Sequence, residues 1–189
     1  MQRYLEASEF IDCAHPAIAA KAAELARGGG SDEDVARRCF EFVRDEIKHS
    51  VDYQMNPVTC KASDVLRFGT GFCYAKSHLL AALLRANGIP AGLCYQRLTI
   101  DSGGPPYSLH GLNAVYLQQH GWYRIDPRGN KPGVAAAFLP PREQLAFSLL
   151  DPAERDLPGI WAEPLPSVVT VLTRCKTMDE VAQNLPDAD

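Results

Sequence analysis

The chain has no long hydrophobic run, and nothing in it approaches the roughly 18 consecutive apolar residues of a membrane span. Its N-terminus, MQRYLEASEF, carries Arg3 and two glutamates where a signal peptide has an apolar stretch. It has no strong excess of one charge: the net value is −4 over 189 residues, so neither nucleic acid nor a membrane surface is expected as partner. The six cysteines, Cys13, Cys39, Cys60, Cys73, Cys94 and Cys175, include no Cys-x-x-Cys pair, which argues against a zinc ribbon or a thioredoxin-type motif. Internal repeats are also lacking. What remains is an ordinary globular composition with a cytoplasmic address expected, reduced thiols, and most cysteines serving as buried packing residues. A single domain over residues 1–189 is expected, long enough for a sizeable core.

The pattern along the chain begins with helices. HPAIAAKAAELARGGG places Pro16 in a first helical turn and a glycine run, Gly28 to Gly30, at its end. In SDEDVARRCFEFVRDEIKHS, Ser31 is an N-cap candidate followed by three acidic residues, with Val35, Cys39, Phe42, Val43 and Ile47 at helical spacing. KASDVLRFG reads as one short helix. Cys73 to Asn87 reads as a longer one, with Leu79, Leu80, Leu83 and Leu84 on a wide apolar face and Asn87-Gly88 as its stop.

β-Leaning segments follow. AGLCYQRLTI ends in the Gly/Pro loop DSGGPPYS, and LHGLNAVYLQQHGWYRID reads as a hairpin turning at Gln118 to Gly121. Residues 132–166 hold seven of the fourteen prolines among large apolar side chains. That mixture predicts a segment wrapping over a core of about residues 31–130, with a short helix around Arg142 to Phe147. SVVTVL reads as a last strand and TMDEVAQNL as a terminal helix capped by Thr177. The fold class is α+β: helices first, then a mainly antiparallel sheet.

Cys73 is the residue that carries chemistry or merely packs. A thiol with a pKa near about 8.5 is only a few per cent thiolate at neutral pH. A helix N-terminus favours the anion, and its free N–H groups suit a developing oxyanion. Gly69 and Gly71 allow a close approach and leave room beside the sulfur. A nucleophile also needs an imidazole and a group to orient it. His15 and His49 sit at predicted helix ends, as solvated or C-capping residues, and His120 falls in a turn facing water. His78 lies five residues along the helix, about 140° around its axis from Cys73. His110 remains, at the mouth of a strand. Asp126, sixteen residues later, ends the next strand. With a hairpin loop at Gln118 to His120, Leu112 lies opposite Asp126 and His110 is its diagonal neighbour, about 7–8 Å away between Cα atoms. A shift of register by one residue would separate the two side chains. Taken singly, Asp126 before Pro127 also fits a turn former and His110 a surface residue.

From about Ala62 to Pro127 the sequence resembles the transglutaminase-like domains of the papain-like cysteine hydrolase and transferase group. The resemblance lies in GFCYAKSHLLAALLRANGIPAGLCY, HGLNAVYL and GWYRIDPR, in that order. It implies a papain-like, transglutaminase-like core in which the central helix starts at the nucleophilic cysteine and packs on an antiparallel sheet. It implies Cys73 as nucleophile, His110 as general base and then acid, and Asp126 as the orienting carboxylate. The chain departs from the family at Leu112, where a Trp is frequent, and at Asn113 and Ala114. Tyr53, Gln54 and Gly71 are the expected oxyanion or substrate-binding residues.

The implied reaction is acyl-enzyme chemistry on an amide-like carbonyl, with hydrolysis of a peptide or amide, free or within a protein, favoured over cross-linking. A lone small domain has no evident means of holding two large protein substrates. Acyl transfer to an amine, as in transglutaminases or arylamine acetyltransferases, is the alternative; TGF precedes Cys73 here where the acetyltransferases have an Arg-Gly-Gly run. A silent protein-binding domain is a further reading, with residues 132–166 across the cleft or forming a partner surface. A metal site of Cys73, His110 and Asp126 lacks a fourth ligand, and no cofactor is implied. The loop Asp101 to Leu109, joined to His110, is the candidate lid.

Overall fold

The computed structural model of the chain describes residues 1–100 and 103–188. Three helices precede the central one: α1 (Pro16–Ala26), α2 (Asp32–Glu46) and α3 (Ala62–Phe68). Helix α1 opens on Pro16, and its N-cap is His15, whose Nδ1 accepts the Ala17 N–H at 3.2 Å. Helix α2 begins with a capping box in which Ser31 and Asp34 bind each other's backbone N–H groups. Its buried face is Ala36, Cys39, Phe40 and Val43, with Val35 and Phe42 at the margin. It ends earlier than the sequence reading placed it, because Ile47 turns extended (φ −87°, ψ 115°) and starts the short strand β1 (Lys48–His49).

Strand β1 pairs in parallel with β2 (Thr70–Gly71), which leads directly into the central helix α4 (Cys73–Ala86). Every residue of α4 from Cys73 to Arg85 is buried. Helices α1, α2 and α3 pack on one side of it and the main sheet on the other, which is why its apolar residues are not confined to one stripe. The main sheet is antiparallel in the order β5-β4-β3-β8: β3 (Ala91–Thr99), β4 (Tyr107–Leu117), β5 (Gly121–Ile125) and β8 (Arg155–Asp156). Strands β4 and β5 pair Asn113 with Ile125 and Leu117 with Gly121, so the hairpin turns at Gln118 to His120 in the expected register. His120 is half-buried, 3.3 Å from Glu33. The mixed helix-and-sheet fold agrees with the expected α+β class.

Three local expectations fail. Arg142 to Phe147 is not helical: β6 (Ala137–Leu139) and β7 (Arg142–Gln144) form a hairpin across Pro140-Pro141, and pairing with β6 takes up the backbone groups that a helix would use. SVVTVL is not a strand but lies in helix α5 (Pro166–Arg174), with Pro166 at its first turn and Val168 and Leu172 buried one turn apart. Packing of that single face on the core outweighs the β preference of the valines. His49 is not a helix-end residue in water; it lies in β1 and is buried. Helix α6 (Met178–Gln183) does start as expected, with Thr177 accepting the Glu180 N–H. Of the proposed lid, Asp101 and Ser102 lie outside the described residues, and from Tyr107 onward it is already part of β4. Among the described residues no helix is long and apolar enough to cross a membrane.

Arg85 locks this frame. Buried in the last turn of α4, its guanidinium donates to the carbonyls of Ala91 at 3.0 Å, Glu6 at 2.8 Å and Ala162 at 2.6 Å. One side chain thereby ties the central helix to the N-terminal segment, to β3 and to the chain beyond the sheet. Arg85→Leu keeps most of the aliphatic stem and removes every donor. It should lower the unfolding free energy by about 3 kcal/mol, read as an earlier urea midpoint with an unchanged slope; an unaltered midpoint would refute the clamp.

Candidate active site

The site grows from the way α4 begins. Gly69 ends α3 in the left-handed conformation (φ 66°), its N–H bound to the Val65 carbonyl, which turns the chain at once into β2. Gly71 continues the pairing, accepting the Ser50 N–H at 3.1 Å. Phe72 is the N-cap of α4 and makes no side-chain cap, so the first-turn N–H groups beside Cys73 have no capping side chain. Strand β4 then crosses this first turn at very close range. A Cβ on Gly111 would lie 2.9 Å from Tyr74 Cδ1 and 3.1 Å from Tyr74 Cα. Only glycine lets the strand seat here, and the Tyr74 hydroxyl donates to the Leu109 carbonyl on the same strand.

The seating brings the three expected residues together. The Gly111 N–H donates to Cys73 Sγ at 3.5 Å. His110 Nε2 and Asp126 Oδ2 are 2.7 Å apart, and Asp126 is wholly buried. With Nε2 engaged, Nδ1 is the nitrogen left for Cys73, with which the ring also interacts. Two backbone groups also hold Asp126: the Ala146 N–H reaches Oδ2 at 3.0 Å and the Arg128 N–H reaches Oδ1 at 3.1 Å. Phe147 stands edge-on to the His110 ring, with centroids 5.0 Å apart, and the Arg128 guanidinium lies over Phe147.

Burial alone would discharge His110, but the Asp126 carboxylate and the Cys73 sulfur outweigh it and raise its pKa to about 10. Burial likewise pushes Asp126 up, and the His110 charge and the hydrogen bonds to its oxygens more than reverse this, leaving it below its ordinary value. The pair therefore favours an imidazolium facing a carboxylate, with the Cys73 sulfur beside the ring.

A cavity of about 480 Å³ opens at the sulfur. Phe72, Leu98, Ile100, Leu109 and Leu185 supply apolar wall, and Phe147, Ser148, Leu150 and Glu154 close one side. The segment after Asp126 thus shapes the cleft and leaves Cys73 8% exposed at its floor. Tyr53, Gln54 and Gly71 are not among the lining residues. Tyr53 is 56% exposed. Gln54 turns back to donate to the Val51 carbonyl at 2.8 Å, and Gly71 packs against Thr59 and Ala75.

His49 does border the cavity, as do Arg128 and Lys131. Sequence reasoning missed all three, together with Phe147. Arg128, two residues after Asp126 in DPR, is the one a sequence signal marks; His49 depends on the pairing of β1 with β2, about twenty residues ahead in the chain. His78 faces away, its Nδ1 donating to the Cys60 carbonyl at 2.8 Å. Among the described residues no group of three or more His, Cys, Asp or Glu is arranged to hold a metal ion.

A family model described as the transglutaminase-like superfamily matches residues 19–127, the stretch that carries Cys73, His110 and Asp126. The chain belongs to the transglutaminase-like superfamily. The match begins well before Ala62, so it takes in α2 and most of α1 as well as the three motifs. Solved structures share the transglutaminase-like fold. A candidate cysteine protease from Cytophaga hutchinsonii is 19% identical with a TM-score of 0.51, over 66% of this chain and 40% of that one. The periplasmic domain of TgpA from Pseudomonas aeruginosa is 22% identical with a TM-score of 0.50, over 67% of this chain and 46% of that one. The transglutaminase-like chain therefore spans less than half the length of either. No curated protein sequence matches it.

Gly111→Ala tests the seating of β4. The added methyl meets backbone atoms of Tyr74, which cannot swing aside, so stability should fall by about 1–3 kcal/mol. Alkylation of Cys73 should also slow relative to the parent, since His110 and the Gly111 N–H move with the strand. A variant as stable and as reactive as the parent would show that the contact has slack.

Proposed function

We propose that this transglutaminase-like chain is a thiol hydrolase of the cysteine protease or amidase type, acting on an amide-like carbonyl through Cys73, His110 and Asp126. The observation that carries the reading is the buried His110–Asp126 pair at 2.7 Å, one residue from the Gly111 N–H that reaches the Cys73 sulfur. A structural ion pair alone does not need a thiol at a helix N-terminus beside it, nor an open cavity over that thiol.

The steps follow from those positions. His110 holds the thiol proton and Cys73 attacks as the thiolate. Its lone pair forms the S–C bond while the carbonyl π electrons move onto oxygen. Collapse of that oxyanion restores the carbonyl and breaks the bond to the leaving amine, which takes the proton from His110. Water then attacks the thioester, His110 accepts its proton and passes it to the departing sulfur, so amine and acid are the net products and the Cys73 thiol is restored. Asp126 keeps the imidazole in one orientation and stabilises its charge. The apolar wall of Phe72, Leu98, Ile100 and Leu109 suits the side chain or acyl body of a peptide or amide. A reducing compartment, the cytoplasm, suits six free cysteines.

Alkylation by iodoacetamide, read by peptide mass spectrometry, tests the thiolate. Cys39, Cys60 and Cys94 serve as slow controls because burial pushes each up to about 12. A raised His110 pKa means that the ring keeps its proton as pH rises through 6 to 8, so the ion pair does not fade there. The Cys73 rate should therefore stay nearly flat over that range, where an ordinary thiol gains about tenfold per unit. His110→Ala should restore the steep slope. A steep slope in the parent would remove the activated thiol from this reading.

A further inference from the structure

His49 is a buried polar side chain that the three-residue mechanism does not use. It sits on β1 opposite Gly71, two residues before the sulfur, and its ring packs edge-on to Phe72 with centroids 5.8 Å apart. It lines the cavity over Cys73 together with His110. Its Nδ1 is sealed from solvent and makes no hydrogen bond, lying 3.9 Å from Asp52 Oδ2. With Nδ1 sealed, Nε2 is the ring nitrogen left to donate where His49 lines the cavity.

The surroundings decide which form the ring takes. Asp52 does not need its proton: Arg128 reaches both carboxylate oxygens, at 2.5 and 3.1 Å, and Lys131 Nζ reaches one at 2.6 Å. Lys76, wholly buried on α4, donates to the carbonyls of Ile47 and Arg44 nearby. Burial and these cations, Arg128 above all, keep His49 neutral, pushing its pKa down to about 3 against the opposing pull of Asp52. Because Arg128 and Lys131 already engage the Asp52 carboxylate and Nδ1 makes no hydrogen bond, the neutral ring keeps its one N–H on Nε2. The same surrounding favours a negative charge arriving in the cavity.

We infer that His49 is the side-chain oxyanion donor of this site, its Nε2–H and the first-turn N–H of α4 at Cys73 together receiving the carbonyl oxygen. The role rests on the acyl-enzyme reading above. When the Cys73 sulfur bonds to the carbonyl carbon, the displaced electron pair comes to rest on that oxygen, and the neutral His49 holds it without giving up a proton. The donor is fixed before substrate arrives, by its packing on Phe72 and by the pairing of β1 with β2, so no reorganisation is needed at the moment of attack.

Alkylation and acylation separate this role from packing. Iodoacetamide reacts with the thiolate without making an oxyanion, whereas 4-nitrophenyl acetate passes through one and releases 4-nitrophenolate in a burst. His49→Phe keeps the ring and its edge contact but has no donor, His49→Leu is a second donor-free variant should the first misfold, and His49→Gln restores an N–H. The donor-free variants should acylate about 10²-fold more slowly while Cys73 alkylates within twofold of the parent, and His49→Gln should recover most of the loss. Equal acylation without the donor overturns the assignment to His49 alone. Parallel loss of acylation and alkylation, unrelieved by Gln, overturns it in favour of packing. A parent that alkylates rapidly at Cys73 but is never acylated takes down the acyl-enzyme reading, and this role with it.

Discussion

The contact between Gly111 and the first turn of α4 is the constraint on which the site depends. It is a backbone-to-backbone approach, closer than any side chain would allow. It sets a strand residue, His110, beside a helix residue, Cys73, with no flexible link between them. Both elements are fixed independently, α4 by burial on all sides and β4 by pairing with β3 and β5. Rigid elements hold reactive groups within fractions of an ångström, which loops do not. The absence of a Cβ at one position is therefore what converts two ordinary structural elements into a site.

Burial gives that arrangement its electrostatic character. Asp126 would be expensive to hide alone, yet it receives hydrogen bonds from His110, Ala146 and Arg128 and stays charged. Ala146 and Phe147 come from the segment between β5 and β8, so the same stretch satisfies the carboxylate, packs against the imidazole and walls the cleft. The Arg128 side chain continues outward to Asp52, which also engages Lys131. The charges thus form one connected layer beside Cys73, His49 and His110. In such a layer each ionic contact is worth more than at the surface, and an unpaired group costs correspondingly more.

The parts legible in the sequence are those governed by neighbours within a few positions. Pro16, Ser31 and Thr177 mark helix starts, and Asn87-Gly88 marks a stop, because caps and breakers act locally. The β4–β5 register followed from loop length, and with it the diagonal placement of His110 and Asp126. The misread elements are those in which distant packing overrides local preference. Val168 to Leu172 became helical because one face meets the core, and Arg142 to Gln144 became a strand because it pairs with Ala137 to Leu139.

By itself, then, the sequence determined the α+β class, the opening of the central helix at Cys73 and the order of the three motif residues, since all of these rest on periodicity, capping and turn length. Only the tertiary structure decided what surrounds them. The neighbourhood of His49 exists because two-residue strands far apart in the chain pair in parallel, and the cleft exists because the segment at Phe147 folds back over the sheet. Tyr53 and Gln54, close to the right place along the chain, lie outside the cavity because the turn after β1 directs them outward. Proximity through space is set by long-range contacts, and no local pattern of residues encodes those.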